Sequence, residues 1–155
     1  MNKETALITG ASSGIGLELA REFVKHGHDV VITAPVQAEL EVIAADFTRE
    51  YGVRVYPIAT DLTRESAVNE LYQTIRDRAL EIGILVNNAG RGFRGPFAEG
   101  PLADDIEMIR LNVEAVVRLT KRFLPDLVLR KRGRILNTAS IAGFASGAIF
   151  TNHCF

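Results

Sequence analysis

A glycine-rich turn set between an apolar run and a helical one constrains this chain more than any other feature. Residues 5–10, TALITG, make an apolar run of strand length that ends on glycine, and Ile15, Leu19 and Phe23 then recur at helical spacing, with Ala20 and Val24 beside them. Between them lies TGASSGIG, Thr9 to Gly16. Gly10 can take the positive φ of a tight turn, Gly14 lets backbone approach a diphosphate, and Gly16 lets the helix pack close to the strand. The first amides of that helix then face the phosphates. A glycine turn in this strand-to-helix setting is expected to be a nucleotide cradle.

Short β-branched runs continue to alternate with longer helical ones, which is the pattern of βαβ units. The spacing predicts a second strand over Val30 to Ala34 after a helix closed at Gly27, and a second helix marked by Leu40, Ile43, Ala44, Phe47 and Tyr51. GVRVYPIATD reads as a third strand, followed by a helix with Val68, Leu71 and Ile75 on one face. IGILVNNAG is the fourth strand and GRILNTAS the fifth. Between these two, a long helix is expected from about Leu102 to Leu129, buried along Ile106, Ile109, Val113, Val116, Val117, Thr120 and Phe123, and bent or ended by Pro125. Strands apolar on both faces belong to a parallel sheet covered by helices on each side.

At 155 residues the chain is expected to form one domain over residues 1–155. Eighteen basic residues against nineteen acidic ones leave a charge of −1, so neither nucleic acid nor an anionic membrane surface is an expected partner. No apolar run reaches the roughly 18 residues of a membrane span, and the amino terminus does not read as a signal peptide, which makes a cytoplasmic protein the expectation. One cysteine, Cys154, forms no internal disulfide and has no zinc-ligand spacing around it, so no metal is expected.

The spacing Gly-x-x-x-Gly-x-Gly after Thr9 resembles that of the short-chain dehydrogenase/reductase family, and further motifs follow in the family's order. The resemblance implies an α/β doubly wound parallel sheet of the Rossmann type with strand order 3-2-1-4-5. It places Thr9, Gly10, Ser12, Ser13, Gly14, Ile15 and Gly16 around the diphosphate of NAD or NADP. Asp61, with Leu62 beside it, matches the family's aspartate that bonds the adenine amino group; taken alone it reads as the cap of a helix beginning near Thr63. Asn87 to Gly90, NNAG, matches the motif that steadies the sheet, with Asn88, Ala89 and Gly90 approaching the adenosine ribose. Asn112 matches the asparagine whose helix is locally opened to hold a water of the proton relay, and Ser140 the serine that bonds the substrate carbonyl oxygen.

The departures are as informative. Where the family has its tyrosine, thirteen residues after Ser140, this chain has His153, and the family's lysine would fall at 157, past the last residue. The expectation is therefore a chain truncated within the catalytic motif, lacking the family's last strands and inactive as it stands. His153 has a suitable pKa for a general acid but lacks the helix that would place it. An acidic residue about 20 positions past the glycines would select NAD and a basic one NADP. Here stand Thr33, Ala34 and Pro35, and related reductases often carry arginine where Pro35 is, so the choice stays open. The substrate implied is a small carbonyl compound or alcohol. A bare edge at RILNTA is expected to drive self-association. A binding module without catalysis is the competing reading. A methyltransferase is the weaker third, because Thr9 stands where its loop would need an acidic residue.

Overall fold

The structure, a computed structural model, describes residues 3–93 and 97–140. Five strands, β1 Thr5–Thr9, β2 Val30–Ala34, β3 Val55–Ala59, β4 Ile82–Asn87 and β5 Arg134–Asn137, form one parallel sheet in the order β3-β2-β1-β4-β5. The order reverses at β1, so the connections leaving β1 and β4 diverge to opposite faces. That divergence opens a crevice at the carboxyl ends of these strands, where such sheets bind ligands.

Side chains alternate across the pleat and load both faces. Ala6 and Ile8 of β1, with Val30 and Ile32 of β2, pack under α1 (Gly14–Lys25) and α2 (Gln37–Tyr51) through Ala20, Val24, Leu40 and Phe47. Leu7, Val31 and Leu85 face the other way, against α3 (Ala67–Asp77) and α5 (Ala115–Leu129), and meet Leu71, Ile75, Leu119 and Phe123. Most of these side chains are fully buried. Each buried Val, Leu, Ile or Phe among them contributes about 1.5–3 kcal/mol of transfer free energy, so the two layers hold the sheet from both sides. Pro57 lies within β3, which is tolerated because among the described residues β3 is an edge strand paired only with β2.

Two local expectations are corrected. The third helix starts at Ala67, with Ser66 before it, rather than near Thr63; residues 61–64 form a separate turn closed by Arg64 N–H on Asp61 O at 3.2 Å. The long helix stays helical through Pro125 to Leu129. At Asn112 it opens locally, as the resemblance implies: α4 (Leu102–Ile109) passes into a π-helical turn over Arg110–Glu114 before α5 begins.

The buried stripe differs as well. Met108, Ala115, Leu119, Phe123 and Leu127 face the core, whereas Ile106, Ile109, Val113 and Val117 are exposed and Val116 and Thr120 half-buried. Of the expected positions only Phe123 is fully buried. Two apolar stripes run along this segment, and periodicity alone does not say which one meets the sheet.

Every residue of β5 is exposed, and among the described residues it pairs only with β4. No helix among the described residues is long and apolar enough to cross a membrane.

Candidate cofactor and substrate cleft

Thr9 closes β1 with its hydroxyl buried and fully used. It donates to Val86 O at 3.2 Å and accepts the backbone N–H groups of Asn88 at 3.0 Å and Ala89 at 2.9 Å. A β-branched hydroxyl residue thus locks the end of β1 to the turn after β4. Asn88 returns the tie, donating its side-chain N–H to Thr9 O at 3.0 Å and, more weakly, to Gly10 O at 3.5 Å. Its Oδ1 accepts the Thr138 hydroxyl at 3.0 Å. One side chain therefore links the glycine turn, the turn after β4 and the segment after β5.

The glycines differ in what surrounds them. At Gly10, with φ +66°, an added Cβ would lie 2.8 Å from Ala89 Cα. At Gly16 it would collide with Gly10 O and the Asn88 side-chain nitrogen, and would lie 2.8 Å from the Gly10 carbonyl carbon. Gly14 has φ +55° and nothing within 4 Å of an added Cβ. The turn is packed shut at Gly10 and Gly16 and open at Gly14. Ser13 caps α1 by position but makes no side-chain capping bond, and the first turn holds no acidic residue. The first amides of α1 are left for an anion in front of them.

Gly14 looks into a cleft of about 1150 Å³ at the carboxyl ends of the strands. Of the expected cofactor residues, Gly10, Ser12, Ser13, Gly14, Ile15, Gly16, Asp61, Leu62, Asn88, Ala89 and Gly90 line this one space, while Thr9 braces it from behind. Asn112 and Ser140 line it too. His153 lies outside the described residues.

Asp61 does not cap α3. Its Oδ1 accepts Thr63 N–H at 3.0 Å and the Thr63 hydroxyl at 2.7 Å, and these bonds, the hydroxyl's foremost, hold its carboxyl below the usual carboxylate range. It enters the cleft as an anion with one oxygen already occupied.

Asn112 sits in the middle of the π turn. Its Oδ1 accepts Arg91 N–H at 3.0 Å and its Nδ2 donates to Arg91 O at 2.8 Å, so the side chain is spent on holding the segment after NNAG. The widened turn takes backbone carbonyls out of the ordinary helical ladder, and these are what such a turn offers to a ligand or water.

Sequence reasoning missed Arg91, Glu107 and Thr138. The Arg91 guanidinium pairs with Glu107 and stacks on Phe93 at 5.2 Å, and both charged residues line the cleft. No spacing in the sequence joins position 91 to 107; only the approach of α4 to the turn after β4 does. Asn87, 3% exposed, donates to Asn137 Oδ1 at 2.8 Å and to the Thr120 hydroxyl at 3.3 Å, while its Oδ1 is left without a partner among the described residues.

Comparison with known proteins agrees with this geometry. The family model described as short chain dehydrogenase matches residues 4–154. The chain belongs to the short-chain dehydrogenase family. Among family relatives, it is 36% identical over 145 residues to a very-long-chain 3-oxoacyl-CoA reductase of Pyrenophora tritici-repentis, covering 90% of this chain and 42% of the relative. A bulky-bulky ketone specific alcohol dehydrogenase from Comamonas testosteroni superposes with TM-score 0.92 at 34% identity, over 99% of this chain and 61% of that one. A short-chain dehydrogenase from Sphingobium yanoikuyae, solved in complex with NADPH, superposes with TM-score 0.90 at 37% identity, over 97% and 59%. The chain thus spans less than half the length of the curated relative and about three fifths of the solved ones.

Proposed function

We propose that this chain forms the cofactor cleft and carries the serine of an NAD(P)-dependent oxidoreductase acting on a carbonyl compound or alcohol. The observation that carries the reading is the asymmetry of the glycine turn. Gly10 and Gly16 are packed against backbone while Gly14 faces an open cleft in front of an uncapped, acid-free helix start. A diphosphate fits there, its charge met by the first amides of α1.

In this reading Ser12, Ser13, Gly14 and Ile15 surround the diphosphate, with Gly10 and Gly16 shaping the turn. Asp61 and Leu62 border the adenine, and Asn88, Ala89 and Gly90 border the adenosine ribose. The nicotinamide, when bound, supplies or takes the hydride. Ser140 donates its hydroxyl hydrogen to the substrate oxygen and fixes the carbonyl face. Asn112 holds the segment after NNAG with its side chain, and the π turn around it presents backbone carbonyl to a proton-carrying water.

A relative named as a very-long-chain 3-oxoacyl-CoA reductase and a solved neighbour named as a bulky-bulky ketone specific alcohol dehydrogenase support a carbonyl or alcohol substrate. NADPH in the Sphingobium yanoikuyae dehydrogenase supports a nicotinamide dinucleotide.

A second reading, binding without turnover, is favoured by one observation: His153 stands at the position of the family's tyrosine. In that reading the chain keeps the cradle and lacks the placed proton donor. NADPH oxidation with a panel of ketones and 3-oxoacyl thioesters, run beside calorimetric titration of NADP+, separates the two. Saturable binding with turnover supports the oxidoreductase, binding alone supports the second reading, and folded protein that does not bind contradicts both.

The exposed stripe of α4 and α5, with β5 at the sheet edge, further supports self-association through this side of the molecule.

A further inference from the structure

Resting on the cofactor reading above, we infer that Pro35 makes the adenosine-ribose corner of the cleft indifferent to a 2′-phosphate, so that NAD and NADP bind this chain with affinities within tenfold of each other. In sheets of this topology the residue that reads the 2′ position stands at the end of the second strand, about 20 residues past the glycine turn. A carboxylate there holds the ribose diol and repels a phosphate; a guanidinium pairs with the phosphate.

Here that corner is built from Thr33, Ala34 and Pro35, beside Thr60, Asp61 and Leu62 at the end of the neighbouring strand. One Asp61 oxygen apart, the polar groups nearby are engaged or shut away: Thr33 Oγ1, without a partner among the described residues, is buried. Ala34 O accepts Thr60 N–H at 2.9 Å. Pro35 has no N–H to offer. Gln37, opening α2, accepts Ala59 N–H on its Oε1 at 2.9 Å and donates from its Nε2 to Glu41 at 2.9 Å. Asp61 is tied to Thr63 through both the backbone N–H and the hydroxyl. Arg64 reaches the other way, bonding both Glu70 carboxylate oxygens at 2.7 and 2.6 Å.

The two long-range influences also oppose each other. The start of α2 favours an anion, and the Asp61 carboxylate disfavours one. With Pro35 uncharged and these two influences opposed, a 2′-phosphate keeps its hydration and changes affinity little.

The test is calorimetric titration of the whole chain with NAD+ and NADP+ at about 50 and 300 mM salt, with Pro35→Arg and Pro35→Asp in parallel. The expected result is a dissociation-constant ratio within tenfold, about 1.4 kcal/mol, that salt barely moves. Pro35→Arg is expected to tighten NADP+ at least tenfold relative to NAD+, a gain that salt erodes, and Pro35→Asp to shift the ratio toward NAD+. A wild-type preference beyond tenfold in either direction, or a ratio unmoved by both substitutions, overturns the inference. Binding of neither nucleotide by folded protein overturns the cofactor reading itself and the inference with it.

Discussion

The side-chain amide of Asn88 donates to the carbonyl oxygen of Thr9 across 3.0 Å, while the Thr9 hydroxyl accepts the Asn88 backbone N–H at the same distance. This reciprocal pair fixes the glycine turn of β1 onto the turn after β4, and Thr138 joins it through Asn88 Oδ1. Asn88→Ala leaves Thr9 O and the Thr138 hydroxyl without this partner, so it is expected to lower unfolding stability by about 1–3 kcal/mol. Urea unfolding checks this, and an unchanged midpoint would show that the tie carries no weight.

The glycines should separate stability from binding. Gly16→Ala forces a methyl against the backbone of Gly10, and is expected to cost about 1–3 kcal/mol or more, because backbone must move. Gly14→Ala meets no atom but holds alanine at φ +55°, a cost of about 1–2 kcal/mol. Its methyl enters the cleft, so NADP+ affinity should fall by about tenfold or more. Thermal melts and calorimetry on the two variants measure both effects, and full NADP+ affinity in folded Gly14→Ala would count against the cradle.

At the opposite end of the sheet Glu4, with its side chain 10% exposed, accepts from Arg132 at 2.7 Å and Arg134 at 2.8 Å. The bond from Arg132, above all, holds the Glu4 carboxyl below its ordinary 4.5. With the folded value below the unfolded one, the unfolded chain binds the proton more readily. The stabilisation is therefore present above about pH 4.5 and is lost as pH falls through the lower folded value. Glu4→Gln is expected to lower stability at neutral pH and to flatten this part of the acid limb, as read by denaturant titrations across pH. An acid limb of unchanged slope would remove Glu4 from the account.

Val117 and Val128, 53% and 64% exposed, lie on the outer face of α5 with Leu124. If this face associates, Val117→Glu with Val128→Lys should shift the chain toward monomer in sedimentation velocity. Stability should change by no more than about 0.5 kcal/mol per site, as for exposed substitutions generally. A wild-type chain that is monomeric at high concentration would contradict the self-association reading.

The architecture was legible because it is written in local signals. Glycine turns, β-branched runs and helical spacing located all five strands, and β2 at Val30–Ala34 was delimited to the residue. Among the residues that line the cleft, the glycine turn, Asp61 and NNAG were legible as motifs, since each lies within a few positions of a strand end. What was not legible depends on distance in sequence. Two apolar stripes on the segment from Leu102 to Leu129 compete, and only packing against Leu7 and Leu85 chooses Leu119 and Phe123 over Val113 and Val117. Asp61 looked like a helix cap because aspartate followed by threonine fits a cap and an isolated turn equally well. Arg91 and Glu107 carry no motif, and meet only once α4 folds back over the turn after β4.

The account rests on a diphosphate seated against Gly14 and the first amides of α1, and amide chemical-shift mapping with assigned spectra tests it most directly. Adding NADP+ to the labelled chain is predicted to shift the amides of Ser12 to Gly16 first, with those of Asp61 and Ala89 following, and to leave the smaller cavity between Tyr72 and Arg130 undisturbed. Shifts confined to that smaller cavity, or none at the glycine turn of the folded protein, would contradict it.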